Sequence, residues 1–444
     1  MEIRKIRLNN VGRFTDLEVA FAPTEKHASK VTVFVGNNGA GKTTILRSLA
    51  TSLSWFVESL RTEQGRGDLI DEALIHNDAG TAAIAIEVAY FDEKTSNWTL
   101  TRTRRGFKVM GRADLTEARL IADNIKDGLT FSNRQLSLPL IAYYPVERSV
   151  LKVPLAIKKH PPIYQLDGYD KSLNQGVDFA RFFEWFRDRE DIENEAAISS
   201  STLKKLSTRL GTNSDSWKEI EALNARSKDR QLTAVRTAIS MFMPGFNNLR
   251  VVRYPLLEMV IDKAGTSLSI MQLSQGEKSL MALVGDIARR LAIMNPALEN
   301  ALHGAGTVLI DEVDLHLHPQ WQRRLIHQLT ETFPNCQFIL TTHSPLVISD
   351  TKDVLCYVLD DGELEERNDL YGLDANQVLL SVMDTDVRNS EVQARLDRLV
   401  ELLQDKRLNE AKVLYEKLSA ELSPDHIELV KAALLIRKLE LRSA

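Results

Sequence analysis

The sequence is poor in cysteine: its 444 residues include two, Cys336 and Cys356. That excludes a disulfide framework and a cysteine-rich zinc module, and it fits a reducing compartment. Long apolar runs are missing too. None approaches the roughly 18 residues a membrane-spanning helix needs, and MEIRKIRLNN at the start is too charged for the apolar core of a signal peptide. Nor is there an excess of either charge. Lys and Arg number 56 against 61 Asp and Glu, a net charge of −5, so contact with nucleic acid would need a local patch rather than a bulk field. No repeat of fixed period and no low-complexity tract interrupts the chain. The composition, 43% hydrophobic and 26% charged, is that of a cytoplasmic globular protein with a substantial core. Its length suggests about three lobes.

Period-two patterning predicts two strands in MEIRKIRLNNVGRFTDLEVAF, divided at Gly12, and a meander over 82–107. KVTVFVG reads as a buried strand, followed by a glycine-rich loop and a helix from Thr43; LPLIAYYP (138–145) reads as another buried strand. From 151 to 245 the pattern is that of amphipathic helices. Strands resume with LRVVRYPLLEMVI, then come a helix from Ser279 and two buried strands, GTVLIDE and CQFILTTH. After 388 the chain reads as helical, with Ser423-Pro424-Asp425 as a helix start.

Four motifs carry chemistry. Gly36-Asn37-Asn38-Gly39-Ala40-Gly41-Lys42-Thr43-Thr44 fits G-x-x-x-x-G-K-[ST], between a strand and a helix as that motif requires. Successive backbone N–H groups at a helix N-terminus suit phosphate, Lys42 suits the β- and γ-phosphates, and the Thr43 hydroxyl suits Mg²⁺. VLIDE delivers Asp311, a second magnesium group, at a strand tip, with Glu312 next to it to orient or deprotonate water. LSQGEKS places Ser274, Gln275, Gly276 and Glu277 at another anion-friendly helix start. TTHSP ends a buried strand with His343, a candidate γ-phosphate contact.

In that order the four motifs resemble the ABC-type ATPase heads of the SMC, RecF and OLD kind, over about 1–150 and 246–385. The resemblance implies an α/β P-loop head with a mixed sheet and flanking helices, using ATP and Mg²⁺. It makes LSQGE the signature motif, places Asp314 in the D-loop and makes His343 the switch histidine. It also implies a homodimer or higher assembly, in which Ser274 and Gly276 of one copy complete the nucleotide site of the other. Slow hydrolysis, with ATP acting mainly as a conformational signal, is one mode open to such a head. Two features depart from the pattern: the stretch after the 138–145 strand is Tyr144-Pro145-Val146-Glu147, with no glutamine, and VDLHLHPQWQ follows the acids. His316 and His318 in that HLH are expected to face a second copy rather than a metal.

The expected organisation is an N-terminal head segment (1–150), a helical insertion (151–245), a C-terminal head segment (246–387) and a helical tail (388–444). Gly36 and Leu273 are 237 positions apart, too far for a transporter head and too near for an SMC arm, and the insertion carries no sustained heptads. IAYYPVERSV, DFARFFEWFRDREDIENE and YGLDANQVLLSVMDTDVR, with the tail, resemble the PtuA-type ATPases of Septu and retron-linked anti-phage systems. That resemblance implies control of a separate, PtuB-like HNH nuclease. Two alternatives remain: a RecF-like repair ATPase, and an OLD-like self-contained nuclease using Asp384 and Asp386. For DNA, the candidate patch is Arg102, Arg104, Arg105, Lys108 and Arg112 on an expected hairpin, with Lys158, Lys159 and His160 as a weaker one. The tail's apolar stripe, from Val392 through Leu399, Leu403, Val413, Leu418 and Ile427 to Leu435, would either pack on the head or dock a partner.

Overall fold

Three runs that are apolar without alternation (VTVFVG, GTVLI and CQFILT) form the middle of one sheet, buried on both faces as parallel strands covered by helices must be. The computed structural model describes residues 1–90, 94–108, 111–131, 136–146, 164–174, 176–196, 198, 200–211, 214–383, 389–423 and 425–443. Glu147, Lys158, Lys159, His160, Asp384, Asp386 and Pro424 lie outside the described residues.

The described strands are β1 (Glu2–Val11), β2 (Phe14–Ala20), β3 (Val31–Gly36), β4 (Thr81–Tyr90), β5 (Lys94–Thr103), β6 (Leu140–Tyr144), β7 (Phe246–Val252), β8 (Glu258–Lys263), β9 (Thr266–Ser269), β10 (Gly306–Ile310), β11 (Cys336–Thr341), β12 (Leu355–Asp360) and β13 (Glu363–Arg367). The α-helices are α1 (Lys42–Arg61), α2 (Thr116–Phe131), α3 (Phe179–Ala196), α4 (Ser200–Leu210), α5 (Asp215–Arg226), α6 (Arg230–Phe242), α7 (Gln275–Met294), α8 (Pro319–Thr332), α9 (Pro345–Ser349), α10 (Ala375–Val382), α11 (Ser390–Gln404), α12 (Leu408–Glu421) and α13 (Ile427–Ser443).

The central sheet has the order β13-β12-β3-β11-β10-β6, parallel except at β13. β11 therefore lies between the strand that leads into the phosphate loop and the strand that ends at Asp311. Three of the four motifs leave neighbouring strands at their carboxyl ends, the usual place for ligands in such sheets. A four-stranded antiparallel sheet, β2-β1-β4-β5, and a small β7-β8-β9 sheet complete the strands. The first is fastened to the centre by the buried Gln337 of β11, whose carboxamide bonds the N–H and C=O of Ile3 and the carbonyl of Ala22, each at 2.8 Å.

The chain divides into two compact units, Met1–Leu373 and Asp374–Ala444. In the first, α7 is buried almost all round from Ser279 to Met294, with α6 packed along it. In the second, the expected apolar stripe closes on itself. Leu396, Leu399, Leu402, Leu403, Ala411, Leu418, Leu429, Ala432 and Ile436 form one core within α11–α13. Val413, Ile427 and Leu435 of the stripe stay exposed. Apolar positions at i, i+3 and i+4 along three short helices suffice to bury a face only if the helices pack together.

Candidate nucleotide site

Gly41 caps α1 in the left-handed region (φ 108°) with no side-chain cap, so the first helical N–H groups are not taken by a capping side chain. A Cβ there would overlap the Phe14 ring, and the backbone conformation is one that L residues rarely adopt. Lys42 is buried, its Nζ donating to the carbonyls of Gly36 (2.7 Å) and Asn37 (3.0 Å). Burial lowers the Lys42 pKa, and the carboxylates of Asp311, Glu312 and Asp314 push back. One ammonium thus lies within the field of all three acids. Asn37, Asn38 and Gly39 are exposed, Ala40 is buried, and Thr43 and Thr44 are half-buried at the helix start.

The acid pair is set by strand register. Ile310 pairs with Leu340, so Asp311 emerges beside Thr341. Asp311 is 1% exposed, and its Oδ1 accepts from the Thr341 hydroxyl at 2.5 Å; the same oxygen of Thr341 accepts from the Glu312 N–H at 2.7 Å. Glu312 stands at φ 45°, a backbone conformation uncommon for residues other than glycine and found at functional sites. Asp314 accepts from the Thr342 hydroxyl and, at 3.4 Å, from the His343 N–H. His343 is half-buried; desolvation, then the Lys42 charge, lowers its pKa, so the ring is neutral at pH 7.

The signature segment is a separate station. Ser274 caps α7 in a reciprocal box: its Oγ accepts from Glu277 N–H (3.3 Å), and the Glu277 carboxylate accepts from Ser274 N–H (2.9 Å). Burial would raise the Glu277 pKa, but the Lys263 ammonium at 2.7 Å and the Ser274 donors outweigh it and hold it low. The helix begins at Gln275, four residues ahead of the sequence expectation, because this cap stops fraying there. Ser274 and Gln275 are exposed. None of these bonds reaches residues 36–44. Gly276 lies against the carbonyl of His316, where a Cβ would clash. Ser274, Gly276, His316, His318 and Trp321 line an open cleft of about 740 Å³. His318 caps α8 through Nδ1.

Sequence reading missed three supports. Thr341 and Thr342 orient Asp311, Glu312 and Asp314, as the TT of TTHSP could have signalled. Arg13, in the β1–β2 turn, donates to the carbonyl of Gly39 (2.8 Å) and pairs with Asp361 (2.5 Å), joining the phosphate loop to the β12–β13 turn. Asp286 of α7, 0% exposed, pairs with Arg289 and Arg290 (2.7 Å each) and accepts from the Tyr144 hydroxyl at 2.9 Å.

The basic patch spans the end of β5, where Arg102 lies, and the turn that follows it, and Arg104 donates its guanidinium to the carbonyls of Ile75 (2.8 Å) and Asn77 (3.1 Å). Arg102 sits 3.9 Å from Glu72. Arg105, Lys108 and Arg112 are exposed.

Residues 31–349 match the family model described as "AAA domain, putative AbiEii toxin, Type IV TA system" (AAA_21). The chain belongs to this family. It is thus an ABC-type ATPase of the retron and Septu defence type, with the α/β head that the four motifs implied. It is 33% identical to the "Retron Vc95 probable ATPase" of Vibrio cholerae, over 90% of this chain and 84% of that one. Identity to the "Retron Ec83 probable ATPase" of Escherichia coli is 32%, over 99% and 87%. The Septu protein PtuA of Bacillus thuringiensis is 23% identical over 78% of this chain and 72% of its own.

Such an ATPase implies a nucleotide and usually Mg²⁺, and the residues fit both. A bared helix N-terminus with a buried lysine suits phosphate. Among the described residues no cluster of three His, Cys, Asp or Glu could hold a metal alone. Asp311 with the Thr43 hydroxyl is the sparse set expected where Mg²⁺ is shared with phosphate oxygens. Among the described residues no helix is long and apolar enough to cross a membrane.

Proposed function

We propose that two copies of this ATPase close around two ATP·Mg²⁺, and that the closed state controls a separate HNH-type nuclease in anti-phage defence. Lys42 and the amides of Gly36–Thr44 hold the phosphates, while Thr43 and Asp311 hold the metal, which supplies neutralisation of the phosphate charge. Glu312 takes the proton of the attacking water as its oxygen bonds the γ-phosphorus and the bond to the β-phosphate oxygen breaks. His343, neutral at pH 7, donates to the γ-phosphate. One observation carries the reading: the capped signature turn (Ser274, Gln275, Gly276, Glu277), with Asp314's loop beside it, makes no bond to its own phosphate loop and faces an open cleft. A phosphate-suited helix start so placed is half of a site, and a second copy supplies the other half. The resemblance to PtuA-type ATPases supports the nuclease partner.

The test is a gentle purification of the tagged chain from its own operon with ATP. A small HNH protein in fixed ratio is the expected result. Recovery of this chain with DNA alone would favour a RecF-like repair role, with Arg105, Lys108 and Arg112 as the contacts to reverse in charge. Metal-dependent cleavage by the isolated chain, lost on Asp384→Ala, would favour a self-contained nuclease. Removing the second unit (374–444) should leave ATP affinity unchanged and release the nuclease; an undiminished complex would place the nuclease contact on the first unit.

A further inference from the structure

Tyr143 and Tyr144 are consecutive on β6, so their rings leave opposite faces of the sheet. Tyr144 is accounted for by Asp286 on the α7 side. Tyr143 pairs in register with Leu309, which places it on the face shared by Leu309 and Asp311. Its side chain is 5% exposed and its hydroxyl is shielded from solvent; the Arg47 guanidinium is placed to donate to that oxygen, and no acceptor takes the hydroxyl's own proton. The charges that act on that hydroxyl are Asp311 and Arg47. Arg47 stands four residues after Thr43 on α1, on the same face of the helix. A buried hydroxyl whose proton finds no acceptor ordinarily costs stability. Here it lies on the Asp311 side of the sheet, on the strand after which the expected glutamine is missing.

We propose that Tyr143 is a positioning residue of the phosphate–metal site, its hydroxyl donating a hydrogen bond into the water shell between Asp311 and Thr43. This rests on the assignment of Asp311 and Thr43 to the metal under the proposed function. Burial, then the negative charge of Asp311, pushes the Tyr143 pKa up to about 12. Arg47 opposes that rise without cancelling it. In this place a tyrosine does from the sheet what a glutamine side chain after the strand would do from a loop.

The experiment is Tyr143→Phe in the full chain, which removes one oxygen and keeps the ring. ATP affinity is measured in EDTA and with Mg²⁺, Mn²⁺ binding in the presence of ATP is followed by its EPR signal, and the unfolding midpoint is recorded without ligands. The expected result is an unchanged or slightly higher midpoint, unchanged affinity in EDTA, and about a tenfold loss of the enhancement by Mg²⁺ with a matching loss of Mn²⁺ affinity. Full metal enhancement in Tyr143→Phe would overturn the proposal, and so would a fall in the midpoint of several degrees, which would make the hydroxyl structural. Asp311→Asn is the companion variant. If it retains full metal enhancement, the assignment of the metal site fails first, and the two failures are told apart.

Discussion

Replacing Glu312 by glutamine is expected to leave ATP binding intact and to cut turnover by about 10²–10⁴-fold, the usual worth of a positioned general base. The substitution keeps the shape and hydrogen-bonding reach of the side chain and removes its capacity to take a proton. The backbone is not disturbed, because the Glu312 N–H bonds the Thr341 hydroxyl and the φ of 45° is held by the β10–β11 register. With chemistry blocked and binding kept, the ATP-loaded dimer should accumulate. Light scattering after gel filtration in ATP would record it, and single-turnover phosphate release would record the chemistry. Lys42→Ala is the counterpart: it removes a cation buried under the loop and should abolish binding rather than chemistry. Wild-type turnover in Glu312→Gln would remove the residue from the reaction.

The second large effect is expected far from the phosphates. Asp286→Asn leaves Arg289 and Arg290 buried without a counter-charge, and breaking one side of a buried ion pair costs about 3–5 kcal/mol. For a unit of this size that corresponds to a fall of about 4–6 °C in the unfolding midpoint. Arg290 also donates to the carbonyls of Gly168 (2.7 Å) and Asp170 (3.0 Å), so an apolar replacement of the whole cluster would strand those acceptors. Burial alone would raise the Asp286 pKa, but Arg290 and Arg289 outweigh it and bring it to about 2. The folded value lies below the unfolded value of about 4. The stabilisation is therefore fully present above pH 4 and is lost as pH falls toward 2. An acid-unfolding scan of Asp286→Asn should be flatter over that window than the wild type. Identical scans and midpoints would show that the cluster contributes nothing.

The motifs were legible because each is a local statement. A phosphate loop needs its glycines within nine residues, and DE after VLI needs only the end of a strand. The convergence of three motifs followed from unbroken apolar runs that read as parallel strands. What stayed hidden depends on partners distant in sequence. Thr341 serves Asp311 and Glu312 only because β11 pairs with β10 in one register, and Arg13 finds Asp361 across 348 residues. Asp286, Arg289 and Arg290 are interior because α7 is enclosed almost all round by elements distant in sequence. The tail's stripe was legible as apolar, but whether it met the head, a partner or itself required the helices in space. The basic run 102–112 was legible as charge, but not that Arg104 is occupied by backbone carbonyls supplied by residues 75 and 77.

Gln337 holds Ile3 across 334 residues, and β3, near the middle of the central sheet, has both its neighbours at 336–360. Synthesis at about 5–20 residues per second makes those partners some tens of seconds after the first strand leaves the ribosome. During that interval β1, β2, β4 and β5 can pair among themselves, while VTVFVG presents two bare edges of high β-propensity. The nucleotide loop that follows it has no strand on either side to fix it. The first unit therefore completes its central sheet only once nearly all of its chain has emerged, and a chain cut short before β11 leaves an adhesive strand rather than a smaller ATPase.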